Sequence, residues 1–196
     1  MSKDKDQPII VLAQNGNMSA YEKLVDRYKH MVFTLALRIV GNREDAEEVA
    51  QDTFLKVYSA LPTFKGDSKF STWLYKIAYR KGLDFLKKQN KHPVTSSLDV
   101  HFKPVSRLVT EAWNTLETKE RRRTVKKAIE KLEADDGILI TLFYFEELSL
   151  MEISEITDME ANTVKVKLFR ARKKLADILR NSLEPETIQG YERARK

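Results

Sequence analysis

Apolar residues recur every three or four positions along most of the chain, which is the period of an amphipathic helix. The clearest run follows Ser19-x-x-Glu22, a pattern typical of a capping box at a helix N-terminus. Its apolar positions are Tyr21, Leu24, Val25, Tyr28, Met31, Val32, Leu35 and Ile39. Gly41 ends this predicted helix, and Asn42 caps the next one.

A second helix is predicted over about 43–61. Its buried stripe consists of Ala46, Val49, Ala50, Thr53, Val57 and Leu61. Several acidic and aromatic residues stand off that stripe, and the attraction of carboxylates to a helix N-terminus explains only some of the acids. Pro62 ends this helix, Gly66 and Asp67 predict a loop, and a further helix is expected from about 71 to 89.

The helical period fails between 90 and 118, where two prolines and many polar residues predict a linker. Periodicity resumes near 119, and an apolar helix is predicted at 137–147. The chain therefore divides into two helical parts joined by a connector.

The second part contains the pattern of a helix-turn-helix. A capping box formed by Ser149 and Glu152 opens a short helix, a turn follows at 157–160, and a longer helix begins at about 161. In this motif the second helix enters the DNA major groove. We predict an all-α protein of two small helical domains joined by a linker.

The longer helix carries the charge that DNA binding requires. Residues 161–174 include six cations and no acid, and Asn162 and Thr163 stand at the start of the helix. A solvated basic face is the plainer interpretation, but these cations coincide with the motif.

The stretch 64–88 mixes six aromatic rings with seven cations. Rings that stack on bases, beside cations that contact phosphates, form the kind of site that binds single-stranded nucleic acid. For Phe70 and Trp73, packing in the core is as good an interpretation as contact with nucleic acid.

Composition narrows the class of function. The 196 residues carry a net charge of +6, which mildly favours a polyanionic partner. The absence of cysteine excludes disulfides, thiolate zinc sites and a cysteine nucleophile. None of the three histidines stands four residues from another, and the sequence has no glycine-rich phosphate-binding loop. We therefore expect no bound metal, no cofactor and no enzymatic activity. The longest apolar run, 138–145, is far shorter than the ~20 residues that span a bilayer, so we expect a cytoplasmic protein without membrane insertion.

Two segments resemble one known family. Similarity to region 2 of bacterial sigma factors of the extracytoplasmic-function (ECF) group lies in the run DAEEVAQDTFLKVYSALPTFKGDSKFSTWLYKIAYRKGLDFLKK. Similarity to region 4 of the same group lies in LSLMEISEITDMEANTVKVKLFRARKKL. The resemblance implies a region 2-like domain at 1–92, a linker at 93–119, a region 4-like domain at 120–184 and a tail at 185–196.

The resemblance also implies three binding surfaces. The helix at 45–58 would dock on the clamp helices of the largest subunit of RNA polymerase, through Glu48, Gln51, Asp52, Phe54 and Tyr58. The loop 62–70 and the helix after it would bind the −10 promoter element and its opened non-template strand, through Phe64, Lys65, Lys69, Phe70, Trp73, Tyr75, Lys76, Tyr79 and Arg80. The basic helix would read the −35 element through Asn162, Thr163, Lys165, Val166, Lys167, Arg170, Arg172, Lys173 and Lys174.

The chain departs from the family pattern at several positions. Arg80 stands where these factors often have Asn, and Asp158 stands where a turn glycine is common. Asn162 and Val166 occupy positions at which Gly and Ser are frequent.

We thus expect a sigma factor that binds core RNA polymerase, recognises −10 and −35 elements and promotes transcription initiation, in a stress or envelope response. The expected partners are the largest polymerase subunits and promoter DNA, and the resemblance also allows an anti-sigma factor. The alternative is a freestanding helix-turn-helix regulator with a helical sensor or dimerisation domain, which would bind duplex DNA tightly without polymerase. A helical nucleic-acid enzyme is disfavoured, because acids along one helix face lack the geometry for paired metal ions.

Overall fold

The computed structural model describes residues 5–89 and 119–182, and within these ranges every regular element is a helix. In chain order the α-helices are α1 (Gln7–Gln14), α2 (Met18–Val40), α3 (Arg43–Ala60), α4 (Phe70–Lys88), α5 (Lys119–Glu130), α6 (Ala134–Tyr144), α7 (Leu150–Thr157) and α8 (Ala161–Ser182). A short 3₁₀-helix, Leu61–Thr63, follows α3. The all-α prediction is confirmed.

The described residues form two compact units. The first unit contains 5–89 together with 149–160, and the second contains 119–148 together with 161–182. Helix α7 therefore belongs to the first unit. The predicted tail at 185–196 lies outside the described residues, as does the predicted linker at 93–119 apart from Lys119, and the predicted domain limits stay a prediction.

Local side-chain caps fix the helix ends of the first unit. The Asn42 side chain accepts a hydrogen bond from the Asp45 backbone at 2.9 Å and caps α3 as predicted. The predicted capping box at Ser19 is wrong, because α2 begins two residues earlier than that cap implies. Its cap is Asn17, which accepts from the Ala20 backbone at 3.0 Å. Gly41 ends α2 with a φ of 83°, a left-handed conformation that glycine adopts without steric cost.

Helices α2, α3 and α4 build the core of the first unit. Each turns its apolar stripe inward, and the fully or almost fully buried residues include Leu24, Val32, Leu35, Ala36, Ala46, Val49, Val57, Leu74 and Ala78. Helix α1 adds the fully buried Ile10. Helix α7 packs against α4. Helices α2 and α4 approach so closely at Gly82 that an added Cβ would lie 2.8 Å from Ile39 Cδ1.

The second unit is built from α5, α6 and α8. Helix α6 is apolar almost all round, with Ile138, Leu139, Ile140 and Leu142 buried. Such a helix forms the centre of a unit, because it has no face suited to water. The buried positions of α8 are Val164, Leu168, Ala171, Leu175, Ala176 and Leu179. Helix α6 starts three residues earlier than predicted and ends at Tyr144.

Among the residues that the structure describes, no helix combines the length and apolar character needed to cross a membrane.

Candidate functional site

Helix α3 presents the residues that the sequence predicts to bind polymerase. Glu48, Gln51, Asp52 and Tyr58 are exposed, and Phe54 is half-buried. Their common orientation follows from the buried stripe of α3, which points the opposite way. Leu55 is also solvent-exposed, with 63% of its surface accessible, and its place on this face was not predicted from the sequence. The outward face of α3 is thus both acidic and apolar.

Tyr21 of α2 holds two residues of this face in place. Its ring lies edge-on to the Tyr58 ring at 5.0 Å, and its hydroxyl donates to the Phe54 carbonyl at 2.5 Å. Burial raises the pKa of Tyr21 to about 12, so the hydroxyl keeps the proton that it donates. The aromatic part of the face is therefore supported from beneath.

Three rings cluster between the loop after α3 and the start of α4. The ring of Phe64 lies 5.0 Å from that of Trp73 and 5.8 Å from that of Phe70. Phe64 and Trp73 are half-buried and keep part of their ring surface accessible. Phe70 and Tyr75 are each 1% exposed, so burial places both rings in the core and leaves no face on which a base could stack. Tyr79 is half-buried.

Helix α1 supports this cluster. The Gln14 side-chain amide donates to the carbonyls of Leu61 and Phe64, at 3.1 and 2.8 Å. Gly66 lies in the same loop and has a φ of 78°, which glycine adopts readily. Neither α1 nor the role of Gln14 was predicted from the sequence pattern. The signals that could have found them are Pro8 at a helix start and the spacing of Ile10 and Ala13.

The cations beside the rings are bonded to acids from α7 and the turn after it. Lys69 Nζ lies 2.8 Å from Glu152 Oε1, and Lys76 Nζ lies 3.1 Å from Asp158 Oδ1. Arg80 Nη2 lies 3.1 Å from Asp158 Oδ2. Lys65 is exposed in the loop. All of these residues belong to the first unit.

Both acids are held in their ionised form. Burial tends to raise the pKa of Asp158, but hydrogen bonds from Lys76 and Arg80 outweigh it and hold the pKa below its usual value. Burial likewise acts to raise the pKa of Glu152, and the Lys69 side chain and the Ser149 backbone and hydroxyl lower it overall. Electrostatics thus favour a fully charged pairing at neutral pH.

Three of the cations predicted to contact the −35 element interact instead with other side chains of the second unit. Lys167 reaches Asp135 at 3.1 Å, and Lys174 reaches Asp136 at 2.7 Å. The hydrogen bond to Asp136 raises the pKa of Lys174, which keeps this lysine charged. Arg172 stacks over the rings of Phe143 and Tyr144, 5.1 and 5.3 Å from their centroids.

The start of α8 faces outward. Asn162, Thr163 and Lys165 are exposed in its first two turns, and Val166 and Arg170 are half-buried. Lys173 is exposed further along. This end of α8 is the part of a recognition helix that meets base edges in a helix-turn-helix.

Across residues 5–89 and 119–182, no group of three or more His, Cys, Asp or Glu side chains is placed to hold a metal ion.

Comparison with known proteins identifies the class. The family model for Sigma-70 region 2 matches residues 24–92, and the model for Sigma-70, region 4 matches residues 122–175. The order of these regions is that of the two helical parts predicted from the sequence. They define a sigma factor of bacterial RNA polymerase.

Full-length relatives define the group within that class. The ECF RNA polymerase sigma-E factor of Escherichia coli (strain K12) is 36% identical over 186 residues, which cover 92% of this chain and 95% of the relative. The RNA polymerase sigma-H factor of Pseudomonas aeruginosa is 32% identical over 182 residues, covering 88% and 92%. The chain belongs to the ECF sigma factor family. It acts in transcription initiation, and the family points to a non-catalytic role.

Solved structures show the same fold. CnrH in complex with the cytosolic domain of CnrY has a TM-score of 0.60 and 26% identity, covering 91% of this chain and 99% of that one. The sigma factor RpoE in complex with the anti-sigma factor NepR, from Bartonella quintana, has a TM-score of 0.59 and 20% identity, covering 82% and 96%.

Proposed function

We propose that the protein directs core RNA polymerase to promoters through three separate binding surfaces. The outward face of α3 binds the largest polymerase subunit, the loop before α4 and α4 itself hold the opened −10 strand, and the start of α8 reads the −35 duplex. One observation carries the proposal. In a chain that matches sigma-70 region 2, the accessible rings of Phe64 and Trp73 lie beside Lys65, Lys69 and the basic positions of α4.

The α3 surface has the composition of a protein interface. Leu55 and Tyr58 supply exposed apolar area, and Glu48 and Asp52 supply charge around it. Aromatic and apolar groups at the centre of a patch with a polar rim are typical of protein–protein contacts. An acidic rim fits a partner whose docking surface is basic.

The −10 surface combines stacking with phosphate contact. A base removed from its stack costs a few kcal/mol, and rings beside cations provide the compensating contact. Phe64 and Trp73 are the rings available for stacking, whereas Phe70 and Tyr75 support them from the core. The cations that would follow the strand's phosphates are Lys65, Lys69, Lys76 and Arg80.

The −35 surface narrows to the N-terminal part of α8. Asn162, Thr163 and Lys165 are placed to meet base edges and nearby phosphates. Lys167, Arg172 and Lys174 bond to α6 or stack on it, so we assign them mainly to holding α8 on that helix.

Location and regulation follow from the same proposal. A partner of RNA polymerase works in the cytoplasm, and the protein itself is not an enzyme. CnrH, which is similar in fold and 26% identical, forms a complex with the cytosolic domain of CnrY. We propose that this chain also binds a protein partner, and that this partner is an anti-sigma factor. Control of that kind suits a response to stress or to changes at the cell envelope.

The test separates the surfaces with matched variants. Asp52→Arg should weaken capture of core polymerase, while Asp26→Arg, the same charge change at an exposed site of α2, should not. Lys165→Ala should weaken binding to −35 duplex without affecting core capture, and Lys127→Ala on α5 is its control. Each variant is then assayed by run-off transcription. Wild-type core affinity in Asp52→Arg, or unchanged duplex affinity in Lys165→Ala, would show that the corresponding surface is wrongly assigned.

A further inference from the structure

The loop between α3 and α4 is held by a side chain from α1. Gln14 is the last residue of α1, and its Nε2 donates to the carbonyls of Leu61 and Phe64, at 3.1 and 2.8 Å. A side-chain amide nitrogen has two hydrogens, so both donors are in use. Exchanging the amide nitrogen and oxygen would bring the oxygen against two carbonyl oxygens, so the two acceptors also fix the orientation of the amide.

Phe64 is held through both of its backbone polar groups. Its N–H donates to the Leu61 carbonyl at 3.1 Å, which closes the 3₁₀ turn, and its own carbonyl accepts from Gln14. The next residues, Lys65, Gly66 and Asp67, are exposed. The Gln14 hydrogen bond therefore fixes the backbone at the point where the exposed part of the loop begins.

Helix α1 is itself anchored on α2. Ile10 is fully buried, and the Asp6 carboxylate just before α1 is also buried. Asp6 accepts from the Tyr28 hydroxyl and pairs with Arg27, both on α2. A buried carboxylate needs such partners, because it has lost its contact with water. Gln14 is thus presented to the loop from a fixed helix.

The position of Phe64 matters because its ring forms one side of the proposed strand site. Its centroid lies 5.0 Å from that of Trp73, with the two planes 41° apart, and it meets Phe70 edge-on at 5.8 Å. Phe70 is buried in the core, so the loop backbone decides where the Phe64 ring lies against it. A ring that is in place before binding avoids the entropy loss of ordering the loop in the complex.

We propose that Gln14 is a positioning residue for capture of the opened −10 strand, because it fixes the backbone of Phe64 and with it the ring on which an unstacked base is held. This inference rests on the proposed assignment of Phe64 and Trp73 to that strand. Gln14 acts through the loop and not by donating to DNA, since both of its amide hydrogens are bonded to the loop. Strand capture therefore depends on a residue outside 24–92, the part that matches Sigma-70 region 2.

The expected effect is that of losing neutral hydrogen bonds at the base of the loop. Removal of such a bond changes an equilibrium by roughly 3- to 10-fold. We therefore expect loss of the Gln14 amide to lower the ratio of opened to unopened promoter roughly 3- to 10-fold. Total binding of promoter duplex should change little, because the proposed −35 surface lies on α8.

The test replaces the amide by an apolar group of similar length. Gln14→Met removes both donors, and Met and Gln have similar helix propensities. The matched control is Gln7→Met, the same change at an exposed position in the first turn of α1.

Each variant is combined with core polymerase on the DNA upstream of the coding sequence. Opening is measured by the permanganate reactivity of unpaired thymines, and total occupancy by gel mobility shift. Gln14→Met should open less DNA at equal occupancy, and Gln7→Met should open as much as wild type. Equal opening by the two variants would overturn the inference.

Tryptophan fluorescence gives a readout that a merely structural role leaves unchanged. The chain has two tryptophans, and Trp113→Phe leaves Trp73 as the single reporter. Because the Phe64 ring lies against Trp73, displacement of the loop should shift the Trp73 emission to longer wavelength and increase its quenching by acrylamide. The far-UV circular dichroism spectrum should stay the same. Unchanged Trp73 emission in Gln14→Met would show that the ring keeps its place without the amide, which contradicts the inference.

A double-mutant cycle with Phe64→Ala separates failure of the inference from failure of the proposed function. If Gln14 acts through the Phe64 ring, Gln14→Met should have little further effect on opening in the Phe64→Ala background, whereas additive losses would refute that route. If Phe64→Ala impairs opening but Gln14→Met does not, the ring binds the strand and Gln14 does not position it. If Phe64→Ala leaves opening unchanged, the proposed function fails at that ring.

Discussion

Gly82 lies where α4 crosses α2, and its replacement by alanine has two effects of opposite sign on the free energy of unfolding. Alanine is about 1 kcal/mol more favourable than glycine inside a helix. An added Cβ, however, would lie 2.8 Å from Cδ1, 2.9 Å from Cγ2 and 3.1 Å from Cβ of Ile39. Cδ1 and Cγ2 move when the Ile39 side chain changes rotamer, but Cβ is fixed to the backbone, so a rotamer change cannot relieve all three contacts.

The steric effect should decide the sign. Overpacking of a close contact costs about 1–3 kcal/mol. After subtraction of the helix-propensity gain of about 1 kcal/mol, Gly82→Ala should lower the free energy of unfolding by up to ~2 kcal/mol. A loss of 1 kcal/mol in a protein of this size corresponds to a fall in Tm of about 2–4 °C.

The assay is urea unfolding followed by circular dichroism, with a double-mutant cycle as control. Ile39→Val removes Cδ1, the nearest atom, so Gly82→Ala should cost about 0.5–1 kcal/mol less in that background than in wild type. Stabilisation of the protein by Gly82→Ala, by the amount that helix propensity alone gives, would refute the close packing of α2 on α4.

Two further predictions concern stability. Asn42→Ala should lower the free energy of unfolding in urea by about 1 kcal/mol, because it removes the side chain that accepts from the Asp45 backbone. Asn42→Ser should retain most of the stability that the cap provides. Equal losses in both variants would contradict the capping role. The hydrogen bond to Asp136 raises the pKa of Lys174 in the folded state. This hydrogen bond therefore makes its full contribution to the free energy of unfolding below the unfolded-state pKa of about 10.4, and the contribution is lost as the pH rises through the folded-state pKa. Lys174→Met should accordingly be less stable than wild type at neutral pH, and the difference in stability should become smaller at alkaline pH. A difference that stays constant into alkaline pH would exclude this ion pair as its cause.

Most helix positions could be predicted because their signals are local. Asn42 caps α3, and the capping box of Ser149 opens α7, since both bonds span three residues of sequence. Helix α1 escaped prediction because eight residues give too few turns for a periodic pattern. Its place is decided by packing, through the buried Ile10 and the Gln14 amide.

The residue types of the candidate site could be predicted from the sequence, but the contacts between those residues could not. The rings and cations of 64–88 were visible in the sequence, yet which rings are buried depends on how α2 and α4 pack. The bond from Arg80 to Asp158 joins residues 78 positions apart, a separation at which no sequence pattern operates. Arg80 and Asp158 are also two positions at which the chain departs from the family pattern, and here each is the other's partner.

As an ECF sigma factor, this chain should direct core RNA polymerase to promoters. The most direct measurement is run-off transcription from the DNA upstream of its own coding sequence, with core polymerase in the presence and absence of the purified protein. We expect a discrete transcript only when polymerase and protein are both present. Asp52→Arg should reduce this transcript, and Asp26→Arg should retain it. Tight, specific duplex binding by the protein alone, without any protein-dependent transcript, would contradict it and favour a freestanding regulator.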